Sequence, residues 1–327
     1  MTIALPRCHS IAKIQKMSCR VYQAGDVSIA IPTFGRDEIL VDTIRACIDL
    51  TPQAGEILVV DQTPGHDPGT EETLTSWESK GIIRWIRLPN PSVPAAMNHA
   101  LQNATKPLVL FLDDDVVPEF DLIAAHAAAH TSGTAWGVVG QIIQPWQVPE
   151  DVPYHHRSNG LRVDLDFPFH STRRAELRNA MAGHLSVNRE RAIDVGGFDE
   201  NFKGAAYRFE TEFARRLIAS GGHVLFEPTA SIRHLRAERG GTRQHGNHLT
   251  SCSPHHGVGD YYFAMLNGCR LDVIAYVMHR LIREVCTRFH LQRPWYIPIK
   301  LCGEIRALCW ALTLLRSGPA LLRRALP

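Results

Sequence analysis

The chain has 327 residues, of which 45% are hydrophobic and 21% are charged. This composition is typical of a globular protein with a large core, and it excludes a mostly disordered chain. A mean hydropathy of −0.12 argues against a protein built largely of membrane-spanning helices, and a formal net charge of +2 gives no global signal for nucleic-acid binding.

The charge is distributed unevenly along the chain. From Ser231 to the C-terminus there are 14 Lys and Arg against 5 Asp and Glu, a net charge of +9. The remainder therefore carries −7, because the total is +2. The pattern indicates an acidic body followed by a basic C-terminal region.

The eight cysteines are scattered and include no C-x-x-C pair, which predicts neither a disulfide framework nor a zinc site. The N-terminus lacks the continuous apolar run of a signal sequence, and the longest apolar stretches fall short of the ~20 residues that span a bilayer. We therefore expect a cytoplasmic protein.

In chain order, residues 1–24 show no clear period and are predicted to form an N-terminal extension. Short apolar strands then alternate with amphipathic helices, which indicates a parallel sheet covered on both faces. The predicted strands and principal helices are Val27–Ile31, Ile39–Ile48 (helix), Glu56–Val60, Ile82–Leu88, Pro94–Asn103 (helix) and Leu108–Leu112.

The second half is mixed in character. Its predicted elements are a strand-like segment at Trp136–Trp146, a turn at Gly196–Glu200, a helix at Arg208–Ser220, a strand at His223–Phe226, a mobile loop at Arg236–Gly259, and helices at Tyr261–Val285 and Ile297–Leu322.

Polar residues follow the strands of the first half. Thr33 and Arg36 come after the first strand, Asp61 after the second, and Asp113–Asp115 after the fourth. Open α/β sheets bind ligands at the carboxyl ends of their strands, so one crevice could gather these residues. No Walker-type G-x-x-x-x-G-K-[ST] is present, which argues against a P-loop.

Three adjacent carboxylates at Asp113–Asp115 repel one another unless a cation or water satisfies them. Mg²⁺ typically takes one or two protein carboxylates together with phosphate oxygens. The alternative interpretation is a solvated acidic turn before Pro118, and the apolar strand that precedes the triplet makes it less favoured.

Five segments then occur in one order, and together they resemble the inverting family 2 glycosyltransferases of the GT-A fold. They are Val27–Arg36 (the strand and PTYNR-like segment), Ile57–Asp61, Ala95–Asn98, Phe111–Asp115 (the D-x-D-like region) and Gly183–Arg189 followed by Gly196–Glu200. Each segment alone is a weak signal. The resemblance spans about Val27–Leu235, two-thirds of the chain.

The resemblance implies an α/β protein with the GT-A (nucleotide-diphospho-sugar transferase) fold, a mostly parallel central sheet with helices on both faces, and a C-terminal helical extension. The catalytic domain would cover residues 25–235. Residues 236–327 would form a mobile loop and basic amphipathic helices.

It also implies a donor site, in which Thr33, Phe34 and Arg36 line the base and ribose and Asp61 accepts a hydrogen bond from the base. The residues assigned to nucleotide or donor binding are Pro32, Thr33, Phe34, Arg36, Asp61, Asn98, Asp113, Asp114 and His184. Asp115 and His234 would hold a Mn²⁺ or Mg²⁺ that bridges the diphosphate; a purely structural role for His234 is equally open.

The catalytic base implied by the resemblance is Glu210, which stands where relatives carry an aspartate. Glu212 is the competitor, and residues two apart on a helix do not share a face. Three positions depart from the family pattern, namely Gly35 for an asparagine, Met97 for an arginine and His184 for an asparagine. These departures leave the donor unidentified.

The implied function is metal-dependent, inverting transfer of a sugar from a UDP-, dTDP- or GDP-sugar to a hydroxyl of a glycan, polysaccharide or lipid-linked acceptor, without nucleic acid. One alternative is a non-catalytic nucleotide- or glycan-binding member of the fold. The other is a sugar-phosphate nucleotidyltransferase, which would show a Gly-rich basic loop where Pro32–Arg36 stands.

Two C-terminal features keep alternatives open. The Gly- and His-rich segment is either a lid over bound donor or a solvated loop. The apolar and basic helix at Ile297–Leu322 suits an anionic membrane surface, which would make the protein peripheral to the inner face of the membrane. Packing on the catalytic domain or in a dimer is the alternative.

Overall fold

A computed structural model of the chain describes residues 20–131, 133–154, 160–242 and 246–323. Within these residues, nine strands form one mixed sheet. The strands are β1 (Val27–Thr33), β2 (Glu56–Asp61), β3 (Arg84–Arg87), β4 (Leu108–Leu112), β5 (Val116–Pro118), β6 (Ala135–Ile143), β7 (Ala175–Leu177), β8 (His184–Asn188) and β9 (His223–His234).

The helices of the described part cover the sheet and extend the chain at its C-terminal end. They are α1 (Glu38–Ile48), α2 (Pro68–Ser79), α3 (Val93–Asn103), α4 (Leu122–His130), α5 (Arg189–Asp194), α6 (Phe209–Ala219), α7 (Val258–Asn267), α8 (Arg270–Val285), α9 (Arg288–Gln292) and α10 (Tyr296–Ser317). Two short 3₁₀ helices lie at Ala24–Asp26 and Pro254–His256.

The strands lie in the order β3–β2–β1–β4–β8–β6–β9–β5, with β7 paired to β9 beside this path. Strands β3, β2, β1 and β4 run parallel, whereas β8 is antiparallel to both β4 and β6. The parallel half brings the carboxyl ends of β1, β2 and β4 to one edge, as predicted.

Strand β1 shows why the sheet forms as a buried layer. Ile29 and Ile31 face a core cluster that includes Leu40 of α1, while Ala30 faces a second cluster that includes Met97 of α3. Successive side chains of a strand point to opposite faces. A strand covered on both sides is therefore apolar throughout, which explains the unbroken run that the sequence shows.

Strand β9 is longer than the predicted strand, which ended at Phe226. Gly140 of β6 pairs with Glu227 and the next residue, Gln141, pairs with Ser231. Residues 228–230 therefore form a bulge, and the pairing of the strand resumes at Ser231. Proline lacks an N–H and marks a bulge here rather than a strand end. The extra length carries His234 to a position opposite Val116 of β5.

The predicted helix over Tyr261–Val285 is two helices, because Gly268 is extended (φ −104°, ψ 151°) and ends α7. A Cβ at this position would lie 2.9 Å from the backbone oxygen of Ala264, so this close approach favours glycine. The segment predicted as a loop at Arg236–Gly259 contains the Pro254–His256 3₁₀ helix and the start of α7. Its residues 243–245 lie outside the described residues, as does most of the predicted N-terminal extension.

Beyond α10 the chain returns to the turn at Gly196–Glu200. Leu322 N donates to Gly196 O (2.8 Å), Glu200 N donates to Ala320 O (3.0 Å), and Ala320 N donates to Asp199 Oδ1 (2.8 Å). Among the described helices, none combines the length and apolar character that crossing a membrane requires.

Candidate functional site

A cavity of about 430 Å³ opens at the carboxyl ends of β1 and β4. Its walls include eight of the residues that the sequence singled out, drawn from three separate parts of the chain. These are Pro32, Thr33, Phe34, Arg36, Asp113, Asp114, Asp115 and His234.

Asp113 begins the acidic segment and points into this cavity, with half of its side chain exposed. Its backbone N–H donates to the carbonyl of Gly183 (3.1 Å). A Cβ on Gly183 would lie 2.1 Å from Asp113 Oδ2, so only glycine leaves room for the carboxylate.

Asp113, Asp115 and His234 form a cluster whose potential ligand atoms all lie within 4.8 Å of one another. His234 Nε2 is 3.5 Å from a carboxylate oxygen of each aspartate. Burial acts to lower the pKa of His234, but the hydrogen bond to Asp113 and the charges of both aspartates outweigh it and raise the pKa. Carboxylate and imidazole donors suit a divalent cation such as Mn²⁺, and cis ligands of an octahedral ion are about 3 Å apart.

The ring of His234 also accepts a hydrogen bond at its other nitrogen. The backbone N–H of Arg236 donates to Nδ1 (3.1 Å). In the neutral ring the proton therefore resides on Nε2, the atom that faces the two carboxylates.

Asp114 is buried and is not part of the Asp113, Asp115 and His234 cluster. It holds the segment after β1 instead. Thr33 Oγ1 donates to its carboxylate (2.7 Å), and Arg36 Nε lies 3.3 Å from the other oxygen. Burial raises the pKa of Asp114 to about 7, against the lowering influence of Arg36 and Thr33.

Arg36 is itself nearly buried and forms an ion pair with Asp115 as well (3.3 Å). It also donates to the carbonyl of Arg239, in the segment after β9. As placed, Arg36 ties the end of β1 to two carboxylates and to the chain that covers the cavity.

That covering segment, residues 235–242, forms one wall of the cavity. Ala237 N donates to Asp115 Oδ2 (2.8 Å), and Gly241 N donates to Phe34 O (2.7 Å). Gly240 has φ +81°, and a Cβ there would lie 2.3 Å from Gly35 O. The backbone therefore approaches the β1 loop closely only because glycine occupies this position.

Asp61 lies at the end of β2 but does not reach the cavity. It is 1% exposed, and its oxygens accept hydrogen bonds from Thr63 N (2.8 Å) and Trp85 Nε1 (2.9 Å) and contact His66 Nε2 (2.8 Å). The neighbouring Gln62 lines the cavity instead, and the sequence interpretation missed it.

Asn98 is also buried away from the cavity. Its amide donates to the carbonyl of Phe198 (2.8 Å) and to Glu200 (2.9 Å), while its oxygen accepts from Phe198 N (2.8 Å). Asn98 thus joins α3 to the turn at Gly196–Glu200, and these contacts use both of its N–H donors and its oxygen.

His184 lies inside the molecule, directly after the Gly183 that touches Asp113. Its Nε2 contacts His126 Nε2 (2.9 Å) and its Nδ1 donates to Gln141 O (3.1 Å). Burial lowers the pKa of His184 to about 3. A Cβ on Gly140 would lie 2.0 Å from this ring, so the glycine makes room for it.

The contact with His126 continues into a chain of buried polar groups. His126 Nδ1 meets Ser186 Oγ (2.8 Å), which meets His130 Nε2 (2.9 Å), and His130 Nδ1 donates to Ala135 O (3.1 Å). The carbonyls of Gln141 and Ala135 accept from His184 and His130 and so fix the tautomers of the neutral rings. Both ring nitrogens that face Ser186 are then acceptors, but the Ser186 hydroxyl has only one hydrogen to donate. The chain is therefore one proton short of full pairing.

The two candidate bases on α6 have different surroundings. Glu212 is buried and accepts two hydrogen bonds from Arg216 (2.6 and 2.7 Å). Glu210 is half-buried in the first turn, behind Arg208 in a left-handed conformation (φ 75°). Glu210 lies outside the lining of the cavity described above.

Trp146, which the sequence interpretation also missed, stands beside the cavity. It is 66% exposed, and the guanidinium of Arg236 lies 4.8 Å from the centre of its ring. Arg236 in turn lines the cavity. Arg233 of β9 points elsewhere and pairs with Glu119 (3.4 Å), and Arg243 lies outside the described residues.

A family model, Glycosyl transferase family 2, matches residues 28–196, more than half of the chain. The chain belongs to glycosyl transferase family 2. The matched region begins in β1 and contains the segment Asp113–Asp115, but it ends before Glu210 and His234.

Two curated relatives are similar at low identity. Validoxylamine A glucosyltransferase of Streptomyces hygroscopicus subsp. limoneus is 28% identical over 132 residues, which are 38% of this chain and 29% of that protein. Succinoglycan biosynthesis protein ExoM of Rhizobium meliloti (strain 1021) is 24% identical over 214 residues, which are 63% of this chain and 65% of ExoM. The chain thus spans less than two-thirds of either relative.

Solved structures share the fold. TarS 1–349 of S. aureus in complex with UDP-GlcNAc has a TM-score of 0.58 at 15% identity, covering 88% of this chain and 81% of that one. GalNAc-T7 with UDP, GalNAc and Mn²⁺ has a TM-score of 0.54 at 16% identity, covering 73% and 48%. The mannosyltransferase PcManGT of Pyrobaculum calidifontis with GDP-Man and Mn²⁺ has a TM-score of 0.51 at 17% identity, covering 90% and 79%.

The predicted family, the GT-A fold with its mostly parallel sheet, and the enzyme class of glycosyltransferase are therefore confirmed. At these identities, the structural likeness establishes the fold alone.

Proposed function

We propose that this glycosyltransferase moves a sugar from a nucleoside-diphosphate donor to a hydroxyl of a glycan, polysaccharide or lipid-linked acceptor, with inversion at the anomeric carbon. The observation that carries the proposal is the Asp113, Asp115 and His234 cluster in the wall of the cavity at the strand ends. Its combination of two carboxylates and an imidazole suits a cation that carries a diphosphate.

The donor would bind in the cavity, whose volume of about 430 Å³ is within the usual range for small-molecule sites. Pro32, Thr33, Phe34 and Gln62 would form the wall toward the nucleoside. Arg36 would hold Asp114 and Asp115 in place from behind. UDP, dTDP and GDP remain equal alternatives for the nucleotide, because none of the side chains in this wall recognises one particular base.

Asp113, Asp115 and His234 would hold Mn²⁺ or Mg²⁺. A divalent ion there would supply charge stabilisation for the departing nucleoside diphosphate. His234 can ligate through Nε2 only after that nitrogen has lost its proton. The N–H of Arg236 would then have to leave Nδ1, so loading the site includes a local change after β9.

Glu210 would accept the proton of the acceptor hydroxyl as its oxygen attacks the anomeric carbon. Both candidates lie in the first turn of α6, and one observation supports this choice: the competitor Glu212 is already paired with Arg216. A direct attack opposite the leaving group inverts the configuration and needs no covalent intermediate.

The wider setting belongs to the same proposal. It includes a catalytic domain at residues 25–235, a C-terminal region of loop and helices at residues 236–327, and a cytoplasmic location. A peripheral contact with the membrane, made by the C-terminal helices, would bring the enzyme to a lipid-linked acceptor.

Calorimetric titration of the full chain with UDP, GDP and dTDP, each with and without Mn²⁺, tests the donor site. We expect one nucleotide to bind only with Mn²⁺ and Asp115→Ala to abolish that binding. Glu119→Ala is the matched control, since Glu119 is an exposed acid four residues further on that pairs with Arg233 outside the cluster.

Failure of every nucleotide to bind under both conditions would overturn the donor site. The non-catalytic alternative would then replace it. Equal binding with and without Mn²⁺, unaffected by Asp115→Ala, would overturn only the metal assignment.

A further inference from the structure

Helix α8 has its polarity inverted. Tyr276 and Arg280 face inward and are 8% and 4% exposed. On the opposite side, Leu271, Ile274 and Met278 are 76%, 60% and 51% exposed. A surface helix of a soluble protein normally buries its apolar stripe and exposes its charges, whereas α8 exposes an apolar stripe and buries Arg280.

The inward face of α8 is satisfied by a buried ion-pair network. Arg280 donates to Asp260 and, through Nε, to Glu304 (3.0 Å). Lys300 of α10 lies 3.1 Å from both Glu284 and Glu304. The charges are thus held between α7, α8 and α10, which fixes the orientation of α8 and turns its apolar stripe outward.

Helix α10 also buries charges, although it packs Ala307 and Ala311 in the core. Lys300 and Glu304 are each 2% exposed, whereas Ile305 and Leu312 are 52% and 43% exposed. The exposed stripe of α8 consists of four residues three or four apart, which share one side of the helix. We call this stripe the outer apolar face and define it by Leu271, Ile274, Met278 and Ile282.

The exposed charges of the C-terminal region are mostly positive. In the fully described stretch 270–323, the exposed Asp, Glu, Lys and Arg side chains are seven arginines and a single acid, Asp272. Trp295, between α9 and α10, is 64% exposed. Tryptophan and basic residues beside an apolar helix face favour the interface between lipid headgroups and acyl chains.

We propose that the outer apolar face docks this chain onto the surface of an anionic bilayer, with α8 lying in the interface and arginines of the C-terminal region contacting lipid phosphates. A second copy is the other occupant that an apolar face can have. A two-fold dimer through this face would bring the same arginines of both copies together, and their repulsion favours lipid. The inference goes beyond sugar transfer and does not depend on the donor assignment.

Co-sedimentation of the full chain with vesicles tests this docking. We expect binding to vesicles that contain phosphatidylglycerol, little binding to pure phosphatidylcholine, and loss of binding at about 0.5 M salt because screening removes the attraction. The triple variant Leu271→Glu, Ile274→Glu and Ile282→Glu should lower the bound fraction about tenfold. All three positions are exposed, so the fold should be retained, as circular dichroism would verify.

The matched control is the double variant Val21→Glu and Ile82→Glu, whose apolar side chains are exposed elsewhere (69% and 39%). It should bind anionic vesicles as the wild type does. Equal wild-type binding to both vesicle types, or undiminished binding by the folded triple variant, would overturn the proposal. Sedimentation velocity gives the third decisive result: a wild-type dimer that the triple variant converts to a monomer would make this face a subunit interface instead.

Discussion

Glu212 and Arg216, one turn apart on α6, form a bidentate ion pair with oxygen–nitrogen distances of 2.6 and 2.7 Å. The pair is mostly buried, and both carboxylate oxygens are used in it. A carboxylate held in this way is fixed against Arg216, which leaves Glu210 as the candidate base on this helix.

Glu210→Gln should therefore lower the transfer rate at least about 100-fold, the usual contribution of a positioned general base. Because the substitution keeps the size of the side chain, nucleotide affinity should change less than about twofold. Initial rates and calorimetry on the same preparation measure both quantities. Transfer at the wild-type rate would remove Glu210 from the mechanism.

Glu212→Gln is the control for this assignment. It removes a charge partner of Arg216, and we expect the free energy of unfolding to fall by about 1.5–3 kcal/mol. The folded fraction should keep its turnover. A stable Glu212→Gln protein without turnover would reverse the roles of the two glutamates.

His234→Ala should weaken Mn²⁺ binding at least about tenfold, since it removes one of three grouped ligands. Free Mn²⁺ can be followed by electron paramagnetic resonance without any turnover. His223→Ala is the control, because His223 begins the same strand and pairs with Glu176 at the far end of it. Equal Mn²⁺ affinity in the two variants would show that His234 is structural.

The buried histidine chain predicts a loss of stability in acid. Burial lowers the pKa of His130 to about 4, below the value of about 6.5 for an unfolded chain. Between these values the unfolded state binds more protons, so the free energy of unfolding falls as the pH falls below about 6.5. Urea unfolding at pH 7 and pH 5 should show that His130→Gln removes about 2 kcal/mol of this pH-dependent loss. Parallel pH profiles of wild type and variant would contradict the prediction.

Arg280→Leu should destabilise the fold by about 3–5 kcal/mol, because it leaves Asp260 and Glu304 buried without their shared cation. Arg283→Leu removes an arginine of the same helix that is half exposed, and it should cost less than about 1 kcal/mol. Chemical denaturation of both variants measures the difference. Similar losses in the two would mean that the buried network contributes no more than a surface pair.

The cavity could be predicted from the sequence because one rule places it. Residues that follow parallel strands meet at one edge, and Thr33 and Asp113–Asp115 do so here. His234 came from the family resemblance alone, since its position depends on the bulge at Pro228 and on pairing with β5. Neither feature has a local signal strong enough to read in advance.

Asp61 and His184 show why other site residues could not be placed. Asp61 follows its strand as expected, but Trp85 of the neighbouring strand and His66 of the next loop occupy its oxygens. For His184 a signal did exist: His126 and His130 are four apart on a helix, and His184 and Ser186 are two apart on a strand. Each pair shares one face of its element, and matching the two would have predicted a buried polar contact.

Amphipathic periodicity likewise could not give the orientation of α8. A stripe of apolar residues identifies a helix with two unlike faces, but which face turns inward depends on what the neighbours offer. Here α7 and α10 offer Asp260 and Glu304, and the arginine turns toward them.

Hydrogen bonds tie the chain beyond α10 to the turn at Gly196–Glu200, where the family match ends. A fragment ending at residue 235 would leave Gly196 O and Glu200 N without their partners at 322 and 320. It would also lose the carbonyl of residue 318 that Asn201 Nδ2 contacts (2.6 Å). A fragment of this glycosyltransferase that keeps these contacts accordingly retains the chain through Leu322.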